Sequence, residues 1–320
     1  MEEDKYLKQR KLWIDLSKVI LIYLMVICHI GISQAADSII VSFHMSAFFL
    51  ISGYLHKNGI WFKSIKSAVK RLLIPVLFFN ALGYCIWCFQ NTNIPFSVKE
   101  YITKPILGMV ILNPSIARPM CMPMWFCITL FFAKAFSLIC KNKKQHLIML
   151  IGCFTAVILL LNIKIGGGNF IGRISMGTMF YICGHLLKNW IDKFLSYKTK
   201  TKVLTMLITV IGLCILALYN GRPTWLNFEF GKSLLIFILT SALGALSTYC
   251  FSSLIYRKEI PLITYLSKNT MTILGIHLLL FPLLPQVNHF IGALLIICIC
   301  LPIIWILNKF VPILIGNQQA

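Results

Sequence analysis

An all-α integral membrane protein of about ten transmembrane helices, with both termini cytoplasmic, is the fold that three observations predict. The 320-residue chain is 58% hydrophobic and only 12% charged, against about 25% charged in a soluble globule. Its apolar residues gather in runs close to the roughly 20 residues that a bilayer core requires. Its basic residues concentrate in alternate loops, the asymmetry that fixes orientation in a membrane. Ten crossings use about 200 positions, so no sizeable soluble domain fits, and residues 1–320 read as one polytopic domain.

The spans follow in order. The first, 12–31, is entered through Lys5, Lys8, Arg10 and Lys11, and the second, 39–56, returns. A loop rich in lysine, 57–71, leads to the third span, 71–90. Residues 101–121 read as an external loop with a re-entrant or interfacial piece, because Lys104, Pro105, Pro114, Arg118 and Pro119 interrupt the apolar run. The fourth and fifth spans, 122–140 and 146–163, are parted by Lys141, Lys143 and Lys144. Gly166-Gly167-Gly168 marks a flexible turn before the sixth, 170–188; it lacks the Lys-Ser/Thr of a phosphate loop. A stretch with five lysines from Lys188 to Lys202 precedes the seventh, 203–220. The eighth, ninth and tenth are 232–256, 261–283 and 289–315, with Arg257 and Lys258 between the first two of these.

This register places nineteen of the 30 basic residues on the cytoplasmic side. The formal charge of +21, which in a soluble protein points to nucleic acid, is explained by topology, and no nucleic-acid partner is implied. A cleavable signal peptide is disfavoured by the mixed charge of Met1–Lys11 and by Asp15 and Lys18 at the start of the apolar core. The twelve cysteines lie almost wholly within apolar spans, which excludes a disulfide framework. Cys85-x-x-Cys88 reads as a pair of small apolar fillers.

Ionisable groups in a membrane helix cost at least about 2.5–3.5 kcal/mol each and mark candidate sites. Lys18 and His29 lie eleven residues apart, which is about 20° from three full turns and roughly 16 Å along the axis. They share a face, with Asp15 placed to neutralise Lys18. His44 enters the second span, and His277, on the ninth, reaches a similar depth; Thr270 shares its face one heptad earlier. Each has a plainer reading: Lys18 snorkelling to the interface, the histidines as hydrogen-bonded interior groups, Arg173 as an interfacial anchor. The basic residues Lys57, Lys63, Lys66, Lys70 and Arg71 read either as a topology signal touching anionic lipid or as a phosphate clamp in which Arg71 is the best fork. No metal site is implied, since the histidines have no carboxylate at ligand spacing.

Several segments resemble the acyltransferase-3 family, and within it the branch of fucose 4-O-acetylase-like sugar O-acetyltransferases. Trp13-Ile14-Asp15-Leu16-Ser17-Lys18, ten further residues and His29 resemble the family's opening basic-x10-His signature. Ser42 through Tyr54, with Phe43-His44-Met45 and Phe48-Phe49-Leu50-Ile51-Ser52-Gly53-Tyr54, resembles its second-helix segment, with Ser46 where the branch usually has proline. Lys70-Arg71-Leu72-Leu73-Ile74-Pro75, Met124-Trp125-Phe126 and Leu266-Ser267-Lys268-Asn269-Thr270 through His277 resemble later motifs.

The resemblance implies acyl transfer, usually of acetyl from acetyl-CoA, to a hydroxyl of a cell-surface or lipid-linked glycan, in a multi-pass protein of a bacterial cytoplasmic membrane, with no permanently bound cofactor. His29 is the expected general base, and His44 would orient the acceptor or stabilise the oxyanion; an acyl-histidine intermediate is the alternative route. Lys18 and Arg71 would hold CoA phosphates or the pantetheine entrance. Asp15, Trp125, Arg173, Asn269 and His277 complete the expected substrate-binding set, and a glycan-precursor transporter or flippase is the rival function.

Overall fold

A computed structural model describes residues 11–90, 97–111, 122–162, 170–284 and 287–317. They form α1 (Leu12–Ile30), α2 (Gln34–Val41), α3 (His44–Tyr54), α4 (Trp61–Ala68), α5 (Ile74–Gln90), α6 (Lys104–Ile111), α7 (Trp125–Ile139) and α8 (Lys143–Leu161). There follow α9 (Phe170–Leu186), α10 (Lys188–Leu195), α11 (Thr199–Asn220), α12 (Leu234–Ile255), α13 (Pro261–Lys268), α14 (Thr270–Leu280) and α15 (His289–Phe310). Among the described residues the only extended pairing is an isolated bridge between Thr224 and Glu229, so the fold is all-α.

Local chemistry sets the helix ends. Asn142 and Ser233 accept the backbone N–H groups of Gln145 and Ile236, filling donors that a helix start leaves unpaired. Pro261 opens α13, where its missing N–H is not needed. Gly221, at φ 79°, closes α11 in a left-handed conformation open to glycine.

Each of the ten predicted segments contains helix. Among the described residues, seven helices are long and apolar enough to cross a bilayer, counting α2 with α3 and Trp61–Gln90 as single spans, and the bent pair α13–α14, turned by 79°, makes an eighth. The other two segments, α7 and α9, are shorter, at 15 and 17 residues. Helix α9 is buried along nearly its whole length, including Gly172, Arg173, Ser175 and Thr178; a helix wrapped by protein need not be apolar all round. Lipid-facing α8 and α11 are the opposite case, with few buried residues and continuous apolar surfaces.

The structure corrects three boundaries. The basic loop 57–71 is helical from Trp61 and runs without interruption, through a π-helical turn at Val69–Leu73, into α5; Trp61 and Phe62 stay exposed beside Lys63, as on an amphipathic interfacial helix. Within the segment expected as a loop with a re-entrant or interfacial piece, residues 99–111 are helical, a π-helical turn at Lys99–Thr103 running into α6 just before Pro105; Pro114, Arg118 and Pro119 lie outside the described residues, as does Gly166-Gly167-Gly168. The second span begins at Gln34 and breaks at Ser42–Phe43, so His44 starts a new helix.

Helices α3 and α9 cross at the centre. A β-carbon on Gly53 would lie 1.7 Å from the Tyr181 carbonyl oxygen, and one on Gly184 would lie 2.0 Å from that of Leu50. Small residues thus let the two backbones touch, as in other membrane helix pairs. Helices α1 and α12 pack on α3, and α7 and α8 on α9. The eleven described cysteines are free thiols.

Candidate active site

Three cavities lie in series through the bundle. The first has a volume of about 650 Å³ and is lined by Lys57, Lys63, Arg71 and Lys134 among other residues. No acidic residue lines it among the described residues, so it is an anion-attracting chamber. Ser52 and Leu130 line both it and the second cavity, of about 170 Å³, which holds Lys18 and Thr270. Met25, Met45 and Leu274 separate the second from the third, of about 220 Å³, which holds His29 and His44. The shared helix face of Lys18 and His29 is therefore a wall of this passage.

The third cavity is built by long-range folding. His29, near the end of α1, opens into it, whereas His44 is nearly buried. At the break before α3 the Ile40 carbonyl accepts from the Phe43 N–H at 3.2 Å and from His44 Nδ1–H at 2.9 Å. The bond fixes the tautomer and leaves Nε2 with its lone pair. Trp125 lines the cavity and stacks on Trp225, centroids 5.9 Å apart. Trp225 stacks on Phe49 as well, at 5.6 Å.

The segment carrying Trp225 is folded inward and clamped. Asn220 donates to the Phe230 carbonyl at 2.8 Å and accepts from the Ser233 N–H at 2.7 Å. Phe228 sits at φ 60°, costly for a bulky side chain, and its ring fills the space over Gly172. Arg222 lines the cavity and pairs with Asp37 of α2.

The remaining expected residues fall around the passage. Asp15 is buried and accepts from Ser267 at 2.6 Å, joining α1 to α13. Arg173 is buried and donates to the Leu226 carbonyl at 3.2 Å, so it holds the Trp225 segment from behind and does not line the three cavities. Asn269 occupies the bend between α13 and α14, where its Oδ1 accepts from Asn308 and Asn317 at 2.9 and 3.0 Å; it too lies away from the cavities. His277 is fully buried behind His29, with ring centroids 5.1 Å apart.

Sequence reasoning missed Lys134, Arg222, Asp37, Thr224 and Trp225. Lys134 carried a signal, a lone cation in an apolar segment, but no partner on its own helix face. The others meet the site only through contacts far apart in sequence.

At the end of α3, outside the three cavities, Lys11 donates to Tyr54 and to Asp192 of α10. Burial pushes the Asp192 carboxyl up, but the hydrogen bonds from Lys11 and Tyr54 outweigh it and hold the group below its ordinary range. His56 donates from Nε2 to Asn58 Oδ1 at 3.2 Å and accepts the Tyr181 hydroxyl at Nδ1, 2.9 Å away; burial, then the neighbouring His185, lowers its pKa to about 4.

No curated protein and no solved structure gives a significant match to the chain. The profile described as an acyltransferase domain matches residues 11–309, nearly the whole sequence and all three cavities. The chain belongs to the acyltransferase-3 family and is a membrane acyltransferase.

Proposed function

We propose that the protein transfers acetyl from cytoplasmic acetyl-CoA to a hydroxyl of a cell-surface or lipid-linked glycan, in a bacterial cytoplasmic membrane and with both termini cytoplasmic. The observation that carries this reading is the series of cavities from Lys57, Lys63, Arg71 and Lys134, past Lys18, to His29 and His44. The basic chamber suits the phosphates of CoA. The narrow middle cavity suits the pantetheine arm, and the roughly 16 Å from Lys18 to His29 matches its reach. Ten crossings, with α7 and α9 as short spans inside the bundle, put the lysine-rich segments on the donor side.

In the reaction the acceptor hydroxyl gives its proton to His29, and its oxygen bonds to the thioester carbonyl carbon. The tetrahedral oxyanion collapses, the C–S bond breaks, and CoA leaves as a thiolate that recovers the proton from His29. A stacked Trp125–Trp225 wall beside Arg222 fits a sugar ring, with its apolar faces and hydroxyl edge. His44, already donating to Ile40, offers only a lone pair, so it accepts from a neighbouring hydroxyl of the acceptor while the single hydrogen of the reacting hydroxyl goes to His29; the neutral ring has no N–H left for the oxyanion.

His29→Ala tests the base. Base-stabile incorporation is not the measure; alkali-released acetyl on membrane and surface glycans is. Correctly inserted His29→Ala protein should lose it, by about 10²–10⁴-fold for removal of a general base. Undiminished acetylation rejects the assignment, and mass spectrometry of glycans with and without the protein identifies the acceptor by one added acyl group.

A further inference from the structure

The orientation of His277 carries an inference that rests on the reading of His29 as the base. Its Nδ1–H donates to the Ile273 carbonyl at 3.0 Å and to that of Leu274 at 3.1 Å. Nδ1 is therefore the protonated nitrogen, and Nε2 carries a lone pair. That Nε2 is buried with no hydrogen-bond partner. A buried acceptor left without a donor costs about 1–3 kcal/mol, so its environment calls for an explanation. The neighbouring ring is that of His29, 5.1 Å away between centroids and tilted by 47°. Two imidazoles at that spacing can share an edge-to-edge N–H···N bond of about 2.9 Å. His29 faces an open cavity and can turn to close it.

We propose that His277 is a positioning residue that accepts a hydrogen bond from the His29 ring and so keeps the other His29 nitrogen unprotonated and turned toward the acceptor. The arrangement resolves a problem of proton placement. His44 and His277 are both committed to backbone carbonyls through Nδ1, and neither can tell His29 which nitrogen to protonate except by accepting from it. His277 is the one enclosed away from the cavities, where no substrate competes for Nε2. When His29 takes the acceptor proton, the same bond holds the imidazolium in place until the thiolate leaves. The bend at Asn269 aims α14 so that its second turn brings His277 against α1.

The bond itself is read by ¹⁵N solid-state NMR of histidine-labelled protein in lipid bilayers, with assignments from His29→Ala and His277→Gln. A correlation across N–H···N between His29 and His277 Nε2 is expected, and its absence from the wild-type spectrum overturns the proposal. Kinetics use radiolabelled acetyl-CoA with inside-out membrane vesicles carrying the native acceptor. His277→Leu should lower turnover at least tenfold with the KM for acetyl-CoA changed less than twofold. His277→Gln, which returns an acceptor oxygen, should recover turnover to within about threefold of wild type. Unchanged turnover in His277→Leu, or equal loss in a well-folded His277→Gln, refutes the positioning role. If His29→Ala is active while the correlation is present, the base assignment fails and the hydrogen bond stands.

Discussion

Replacing Gly53 with alanine tests whether the α3–α9 contact positions the site. The new β-carbon would lie 1.7 Å from the Tyr181 carbonyl oxygen, half the 3.4 Å at which ordinary contact begins. A backbone oxygen cannot rotate away as a side chain does, so the helices must part. Overpacking of this kind costs about 1–3 kcal/mol, and the depth of the overlap argues for the upper end. The displaced helix carries His44, Met45 and Ser52, which between them line all three cavities. Misplacement near 1 Å can lower turnover about 10²-fold. Thermal unfolding in detergent should show a lowered midpoint, and acetyl transfer in vesicles should fall with it. Gly152→Ala is the control: nothing lies within 4 Å of its β-carbon, so it should be neutral or stabilise the exposed helix by up to about 1 kcal/mol. Wild-type stability and turnover in Gly53→Ala, or equal damage from both variants, would refute the close-contact argument.

Three further outcomes are expected. Arg71→Ala should raise the KM for acetyl-CoA about tenfold, equivalent to losing one charge-assisted hydrogen bond of roughly 1.5 kcal/mol, with turnover little changed; a loss of turnover at constant KM contradicts the entry role. Asn220→Ala strips partners from the Phe230 carbonyl and the Ser233 N–H and should destabilise by about 1–3 kcal/mol, seen in the melting midpoint and in reduced acetyl transfer as Trp225 loses its seat. His56, held down at about 4 against an ordinary 6.5, is neutral when folded and protonates more readily when unfolded. Its contribution is present above pH 6.5 and declines from there toward pH 4; His56→Gln should flatten the melting midpoint over that window, and an unchanged slope counts against it.

The helix positions and the Lys18–His29 face were legible because both are local. A run of apolar residues declares a span, and eleven residues return a helix to nearly the same face. Arg71 was legible as one cation in a cluster, but its cavity was not, because Lys134 and Tyr181 come from distant helices. The break at Ser42–Phe43 left no clear mark: Phe43 is seated over Gly244 of α12, a contact two hundred residues away. Likewise nothing near Trp225 announces that Asn220 will fold its segment inward. Arg173 and Asn269 carried polar signals that could mean substrate or scaffold, and sequence has no measure of which carbonyl or amide each will meet.

Ser52 with Leu130, and Met25 with Met45 and Leu274, each line two successive cavities, so on the proposed route a donor arm reaching from the basic chamber to the histidines would pass both groups. Thioethers at the second group yield more readily than branched side chains, so an acyl group longer than acetyl would meet there side chains that can change rotamer to admit it.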